Sequence, residues 1–551
     1  MPTITLNKTV LEKLVGKKLP IEELKERISM LGTNLEKIDD DEIEVEIFPN
    51  RPDLLSDQGF ARAFSSFIGV KTGLRKYEVT ASGEKIIIDS SVKGIRPYTA
   101  CAIVKNLSFD EEKIKDIIQI QEKLHITYLR NRKKVAIGVY PLEKISFPIT
   151  YKADAPEKIK FRPLESAEEM TGLQILSRHK TGREFGHLLE GLAKFPVFVD
   201  AKGAILSMPP IINSQLTGRI TEETTSVFIE CSGFDYHVLS KGINMIVAAL
   251  ADMGGKIYSV NLVYPEGEKI SPDLTPEKMK LDLHYINARL GLQLSEKEGI
   301  KLLEKMGYGY EKGEILVPAY RTDILHQADL VEDMAIAYGY ENFIEEIPKV
   351  ATIGQEDPLE NFLNKLREVL IGFGLWEVKN YHLITAEELN QKMLLNLELI
   401  PLHNALGDYN HLRNSLLPCL MKNLSDNQHN EYPQNFFEIG RVFSRDKTTE
   451  TGFGETEHLA VVLCHEKTDF TEIKQILDAL MNALGLESSI KESVEVSFIA
   501  GRVGEIIVGE KKIGSIGELH PQVITNWGLA VPVVGFELNV EELFKLIYLP
   551  K

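Results

Sequence analysis

"RTDILHQADLVEDMAIAYG", residues 321–339, places four carboxylates, Asp323, Asp329, Glu332 and Asp333, within eleven residues, directly before an apolar run. A helix starting near Ala328 puts Asp329, Glu332 and Asp333 at i, i+3 and i+4, on one face. Asp323 stands six residues earlier, where the chain can fold back toward that face. Acids this close repel, so something must offset their charge. Clustered carboxylate oxygens are hard ligands, suited to Mg²⁺ rather than zinc. Two structural readings compete with a metal. Asp329 and Glu332 have the spacing of a capping box, and acids in a first turn favour the helix dipole.

The stretch has a counterpart. "RPDLLSDQGFARAFSSFIG", residues 51–69, aligns with it at an offset of 270, pairing Arg51 with Arg321, Asp53 with Asp323 and Gly69 with Gly339. Upstream, "VGKKLPIEELKERISMLG" aligns with "LGLQLSEKEGIKLLEKMG" at an offset of 275: Gly16 with Gly291, Leu19 with Leu294, Ile28 with Leu303, Gly32 with Gly307. Two copies of one small helix–strand–helix domain are expected, differing in the strand region between these blocks. The first copy has Gly59, Arg62 and Ala63 where the second has Asp329, Glu332 and Asp333. The fold therefore does not need those acids. The cap and the metal stay level.

Outward from the repeat, four domains are expected: 1–85, the first copy; 86–268, an α+β domain; 274–350, the second copy; and 356–551, a further α+β region. The middle carries short β-type runs, "TACAIVKNL", "KKVAIGVY", "FPVFVD" and "SVFIECSGF", interleaved with helices. The last region alternates helices ("NFLNKLREVLIGFG") with strands ("NFFEIGRVF", "LAVVLC", "VVGFELNV"). There Glu438 and Arg441 read as a core salt bridge. The segment "GEIIVGEKKIGSIGE" has glycines spaced as strand turns.

The 551 residues are 43% hydrophobic and 26% charged, with a net charge of −18, which speaks against wrapping of a nucleic-acid duplex. "RNRKK", residues 130–134, is a local basic patch, ordinarily a solvated turn. Cys101, Cys231, Cys419 and Cys464 stand far apart, so neither a disulfide framework nor a thiolate zinc site is indicated. With no signal pattern and no bilayer-length apolar run, a cytoplasmic location is expected. GxxxxGK[ST], GxSxG and HExxH are absent. In "MPPIINSQLTGRITEETTSVFIECSGFDY", Asn213, Ser214, Arg219, Glu230 and Asp235 are placed to line a pocket from turns and strand ends. They would hold a small polar ligand or position a water. Turn residues explain the set equally well.

The chain resembles the β subunits of phenylalanine–tRNA ligase in their shorter archaeal and eukaryotic form. The motifs that carry this are "VEIFPNRPDLLS", "RNRKKVAIGVYPLEKI", "PPIINS", "VPAYRTDILHQADLVEDMAIAYGY", "FFEIGRVF" and "GSIGELHP", in that order. The resemblance implies two related small, DNA-binding-like domains flanking an α+β editing domain, followed by a class II synthetase-like antiparallel sheet core without an active site. The sequence agrees on the last point, since no GxGxGxER motif occurs between residues 360 and 551. It implies an α₂β₂ enzyme that joins phenylalanine to tRNA(Phe) with ATP, the aminoacylation site lying on the α subunit. It assigns Mg²⁺ to Asp323, Asp329, Glu332 and Asp333. It also implies hydrolysis of tyrosine wrongly attached to tRNA(Phe), a need set by physics. An apolar pocket rejects an added hydroxyl only about a hundredfold. In that role Glu230 and Asp235 would accept from the tyrosine hydroxyl, while Asn213 and Ser214 hold the ester or a water; Arg219 completes the pocket. The competing expectation is a non-catalytic nucleic-acid-binding protein that uses the repeated small domain.

Overall fold

Both copies of the repeat fold in the same order: strand, two helices, two strands, helix. In the computed structural model, which describes residues 2–39, 41–347 and 353–548, the first copy comprises Thr3–Asn7, Lys8–Val15, Ile21–Met30, Asn34–Ile38, Glu42–Glu46 and Asp57–Phe67. The second comprises Glu277–Lys280, Leu283–Leu290, Glu296–Lys305, Gly309–Glu311, Glu314–Val317 and Gln327–Tyr338. In each, the last strand lies central in a three-stranded antiparallel sheet. The expected helix–strand–helix is thus corrected by a leading strand and a hairpin. The aligned glycines have a shared cause: Gly16 and Gly291 close their helices at φ 79° and 68°, a left-handed cap that side chains with a Cβ resist.

The chain divides into two units, Met1–Ile347 and Pro348–Lys551. In the first, a ten-stranded sheet lies between the copies in sequence. Its strands run in the order Ile212–Asn213, Ile205–Met208, Phe195–Val199, Ile149–Asp154, Val79–Ile88, Lys256–Tyr264, Tyr98–Lys105, Ser226–Gly233 and Val135–Pro141, with Gly267–Ser271 added on Lys256–Tyr264. The boundary expected at 85/86 falls inside the strand Val79–Ile88, and the sheet extends to Ser271. Period-two burial sorts Tyr98–Lys105 into two faces. Ala100, Ala102 and Val104 join a core with residues of the helices Glu111–Ile126 and Tyr236–Asp252, while Cys101 and Ile103 join another. The copies also meet each other: Ser66 Oγ and Gly73 N both donate to the Glu304 carbonyl, at 2.9 and 2.7 Å.

The second unit is built on a seven-stranded sheet ordered Trp376–Glu377, Gln434–Arg445, Phe453–Cys464, Val533–Asn539, Lys511–Leu519, Phe498–Val508, Ser488–Glu492, antiparallel except at Trp376–Glu377. Leu459, Val461 and Leu463 face a core with the helices Pro358–Gly372, Phe470–Ala483 and Val540–Tyr548; Ala460, Val462 and Cys464 face the core under Leu417–Asp426. "GEIIVGEKKIGSIGE" forms a hairpin that turns at Gly509, φ 61°. Glu438 pairs with Arg413 at 2.7 Å, both fully buried, whereas Arg441 is exposed and reaches Glu455 and Glu457. The expected Glu438–Arg441 bridge is corrected, because positions three apart on a strand face opposite ways. Among the described residues, no helix is long and apolar enough to cross a membrane.

Candidate functional site

Glu230 lies in the middle of the strand Ser226–Gly233, among residues buried on both faces, and is itself buried. The sequence places it at a turn or strand end; its position inside an apolar run is the stronger mark, since a buried carboxyl without a partner is costly. From the neighbouring strand Val135–Pro141, the Tyr140 hydroxyl lies 3.1 Å from Glu230 Oε1 and 3.2 Å from Asn213 Oδ1. One hydroxyl proton cannot serve both acceptors at once; Tyr140 donates to Glu230 Oε1 with Asn213 Oδ1 as its alternative acceptor, and a proton on the Glu230 carboxyl takes the charge out of the contact. Burial pushes the Glu230 carboxyl up to about 8, which keeps that proton in place at neutral pH. Glu230 Oε2 and Ser207 Oγ, also buried, make no well-formed hydrogen bond, although Ser207 lies close enough to Glu230 and Tyr140 to counter part of the upward push of burial on both. Buried polar atoms of this kind are rare in folded proteins, and each needs a cause.

Tyr140, Ser207 and Gly138 escaped the sequence reading. A signal existed: a glycine inside the strand "VAIGVYP" marks a close approach. A Cβ at position 138 would fall on the Tyr140 hydroxyl and within 2.6 Å of Glu230 Oε1. Gly138→Ala is expected to cost about 1–3 kcal/mol of stability by overpacking, measured by urea unfolding, and to disrupt the Tyr140–Glu230 contact.

The other expected pocket residues stand apart. Ser214 is buried beside Asn213, but its Oγ accepts from Leu216 N at 3.3 Å, a local turn. Arg219 is exposed and offers its carbonyl to Lys144. Asp235 is exposed and caps the helix Tyr236–Asp252, accepting from His237 N at 2.9 Å and Val238 N at 3.3 Å. The five-residue pocket is therefore corrected to Asn213 and Glu230, joined through Tyr140.

The four acids near residue 330 separate in the same way. Asp323 holds Arg321 in a two-pronged pair, Nε to Oδ1 and Nη2 to Oδ2, both 2.8 Å. Arg51 and Asp53 form the same pair in the first copy, both at 2.9 Å. Asp333 turns inward to Arg321 Nη2 at 2.8 Å and to the Tyr308 hydroxyl. Asp329 accepts from Leu325 N and His326 N at 2.7 Å, closing a capping box whose other half is the His326 ring. Glu332 points to solvent and meets the Tyr340 hydroxyl at 3.0 Å. Among the described residues no three His, Cys, Asp or Glu are grouped to hold a metal ion. As arranged, the four donors do not fit one shared Mg²⁺. The offset to their charge is Arg321: burial opposes its charge, but Asp333, Tyr308 and Asp323 outweigh that.

Residues 279–340 match the family model described as the tRNA synthetase B5 domain, and residues 345–540 match the phenylalanyl tRNA synthetase beta chain CLM domain. These define the class: a subunit of an aminoacyl-tRNA synthetase. The phenylalanine–tRNA ligase β subunit of Pyrococcus furiosus is 42% identical over 99% of this chain and 100% of its own, and that of Methanococcus aeolicus is 40% identical over 98% and 100%. A crystal structure of an N-terminal fragment of the phenylalanyl-tRNA synthetase β subunit from Pyrococcus horikoshii matches with a TM-score of 0.59 and 41% identity, covering 61% of this chain and 99% of that one. The chain belongs to the phenylalanine–tRNA ligase β-subunit family.

Proposed function

We propose that this chain works as the β subunit of a phenylalanine–tRNA ligase, in an α₂β₂ assembly in the cytoplasm. An α subunit there forms the adenylate from ATP, and this chain hydrolyses tyrosyl-tRNA(Phe). The full-length identity to β subunits named for that ligase carries the assignment. The missing GxGxGxER motif in residues 360–551 supports an aminoacylation site on the partner. Large apolar side chains left on the second unit support a partner surface: Trp376 on the edge strand is 75% exposed and Tyr381 90%.

For the hydrolytic role, the supporting observation is the polar cluster of buried Glu230, Tyr140 and Ser207 with half-buried Asn213. A tyrosine hydroxyl would bring a donor and an acceptor to Glu230 Oε2 and Ser207 Oγ, whose own contact is not a well-formed hydrogen bond, while phenylalanine would bring neither. That asymmetry is the chemistry needed to discriminate one oxygen. Mg²⁺ is proposed in a narrower form than the four-carboxylate site: an ion would have to compete with Arg321 for Asp323 and Asp333.

Purified alone, the chain is expected to make no phenylalanyl-tRNA. Mixed with an archaeal α subunit, it restores aminoacylation and deacylates tyrosyl-tRNA(Phe) faster than phenylalanyl-tRNA(Phe). A complex that left the tyrosyl ester intact would overturn the hydrolytic role. A chain that binds nucleic acid but no α subunit would favour the non-catalytic reading.

A further inference from the structure

The basic run at residues 130–134 is the solvated turn its sequence suggests, but its backbone is held in an unusual conformation. Arg130, Asn131 and Arg132 occupy three consecutive left-handed backbone positions, at φ 50°, 51° and 63°. None is glycine, and each costs roughly 1–3 kcal/mol that the surroundings must offset. The anchor is Arg132. Its Nη1 donates to the carbonyls of Ile211 and Pro210 at 2.9 and 3.3 Å, its Nη2 pairs with Glu122 at 3.2 Å, and its guanidinium lies 4.3 Å from the centre of the Phe185 ring. Asn131 N and Lys134 N close the loop onto the His125 and Leu129 carbonyls. The buried Arg96 joins the Arg132 carbonyl to that of Ser232, two residues beyond Glu230.

One arginine is thus spent on holding the loop, and the other three cations are left outward. Arg130, Lys133 and Lys134 are exposed, and none is in an ion pair among the described residues. In a chain with 81 acidic residues, three adjacent cations without an acidic partner need a cause. The one carboxylate tied to the loop, Glu122, is engaged by Arg132 and His125.

We propose that this loop receives backbone phosphates of the tRNA close to its aminoacylated end, making Arg130, Lys133 and Lys134 positioning residues for the hydrolysis; this rests on the hydrolytic role proposed above. The loop leads straight into the strand Val135–Pro141, which carries Gly138 and Tyr140. From Lys134 to Tyr140 the strand runs six residues, about 20 Å at ~3.3 Å each. Stacked nucleotides are spaced ~3.4 Å along a strand, so the loop sits about six nucleotide spacings from Tyr140, where the tyrosine hydroxyl is received, and the ester lies one tyrosyl side chain away from that point. Phosphates at that remove are within reach of three cations on a fixed backbone. The rigid backbone means little backbone freedom is lost when they bind, which favours affinity.

The test compares the complex of α subunit and full-length chain with its Arg130→Ala/Lys133→Ala/Lys134→Ala variant. Two readouts are used: deacylation of tyrosyl-tRNA(Phe) and salt-dependent binding of uncharged tRNA(Phe). KM for the ester is expected to rise about tenfold or more with kcat within about twofold, and the slope of log affinity against log salt to fall by about 2, at ~0.7–0.9 per lost phosphate contact. The charge-preserving variant Arg130→Lys/Lys133→Arg/Lys134→Arg should restore both. Hydrolysis of a tyrosyl-adenosine ester, which has no backbone phosphates, should not respond. Unchanged tRNA binding and salt slope in the alanine variant would overturn the proposal, and retained binding of an acidic protein would then identify a different ligand. If the wild type deacylates nothing while the salt slope still falls, the hydrolytic role fails and the RNA contact stands.

Discussion

Arg321→Ala is expected to lower the stability of the unit formed by residues 1–347 by about 3–5 kcal/mol, the usual loss when one member of a buried ion cluster is removed. The side chain is fully buried and serves two carboxylates, so its removal strands Asp323 and Asp333 together with no counter-charge. Arg51→Ala should cost a similar amount, because Arg51 and Asp53 repeat the pair with comparable burial. The two variants differ in what is left. Only the second copy then holds several free acids, so Mg²⁺ at ~10 mM should recover part of the stability lost in Arg321→Ala and none of that lost in Arg51→Ala. Urea unfolding with and without Mg²⁺ reads this directly. Equal indifference of both variants to Mg²⁺ would remove the competition proposed between the ion and Arg321.

The repeat was legible because its marks are local. Glycines that end helices, an arginine two residues before an aspartate, and apolar spacing of 3.6 all act within a few residues of themselves. The five-residue difference between copies is accounted for mainly by the hairpin, whose strands are Asn34–Ile38 and Glu42–Glu46 in one copy and the shorter Gly309–Glu311 and Glu314–Val317 in the other. The roles of the four acids were less legible. Spacing fixes which way Asp329, Glu332 and Asp333 leave the helix, but Asp333 pairs with Arg321, twelve positions back, and with Tyr308, twenty-five back, and nothing near Asp333 points to Tyr308. The cluster around Glu230 was least legible. Tyr140 and Glu230 meet only because the strands Val135–Pro141 and Ser226–Gly233 are neighbours, a pairing that the order of elements along the chain does not dictate. Gly138 and a glutamate inside the apolar run of Ser226–Gly233 were its local traces.

Glu230→Ala is expected to reduce deacylation of tyrosyl-tRNA(Phe) by at least about a hundredfold, the range lost when a site built to hydrogen-bond a hydroxyl can no longer do so, while slow release from phenylalanyl-tRNA(Phe) hardly changes. The conservative Glu230→Gln separates shape from protonation. Wild-type Glu230 keeps its proton until about pH 8, against 4.5 for an ordinary glutamate, because of burial. Between those values the native protein holds a proton that the unfolded chain has released. This group's contribution to stability therefore falls as pH rises, by ~1.4 kcal/mol per pH unit. A glutamine side chain cannot ionise, so the Glu230→Gln variant should lose that slope and become the more stable protein above pH 8. Asp57, which burial pushes up to about 7, adds a slope of its own, so the difference between the two proteins is the quantity to compare. If the neutral carboxyl is what receives the tyrosine hydroxyl, wild-type deacylation declines as pH passes about 8 and that of the glutamine variant does not. A wild type whose hydrolysis runs flat through that range, with stability differing as expected, would make Glu230 a packing group and move recognition to Ser207 and Asn213.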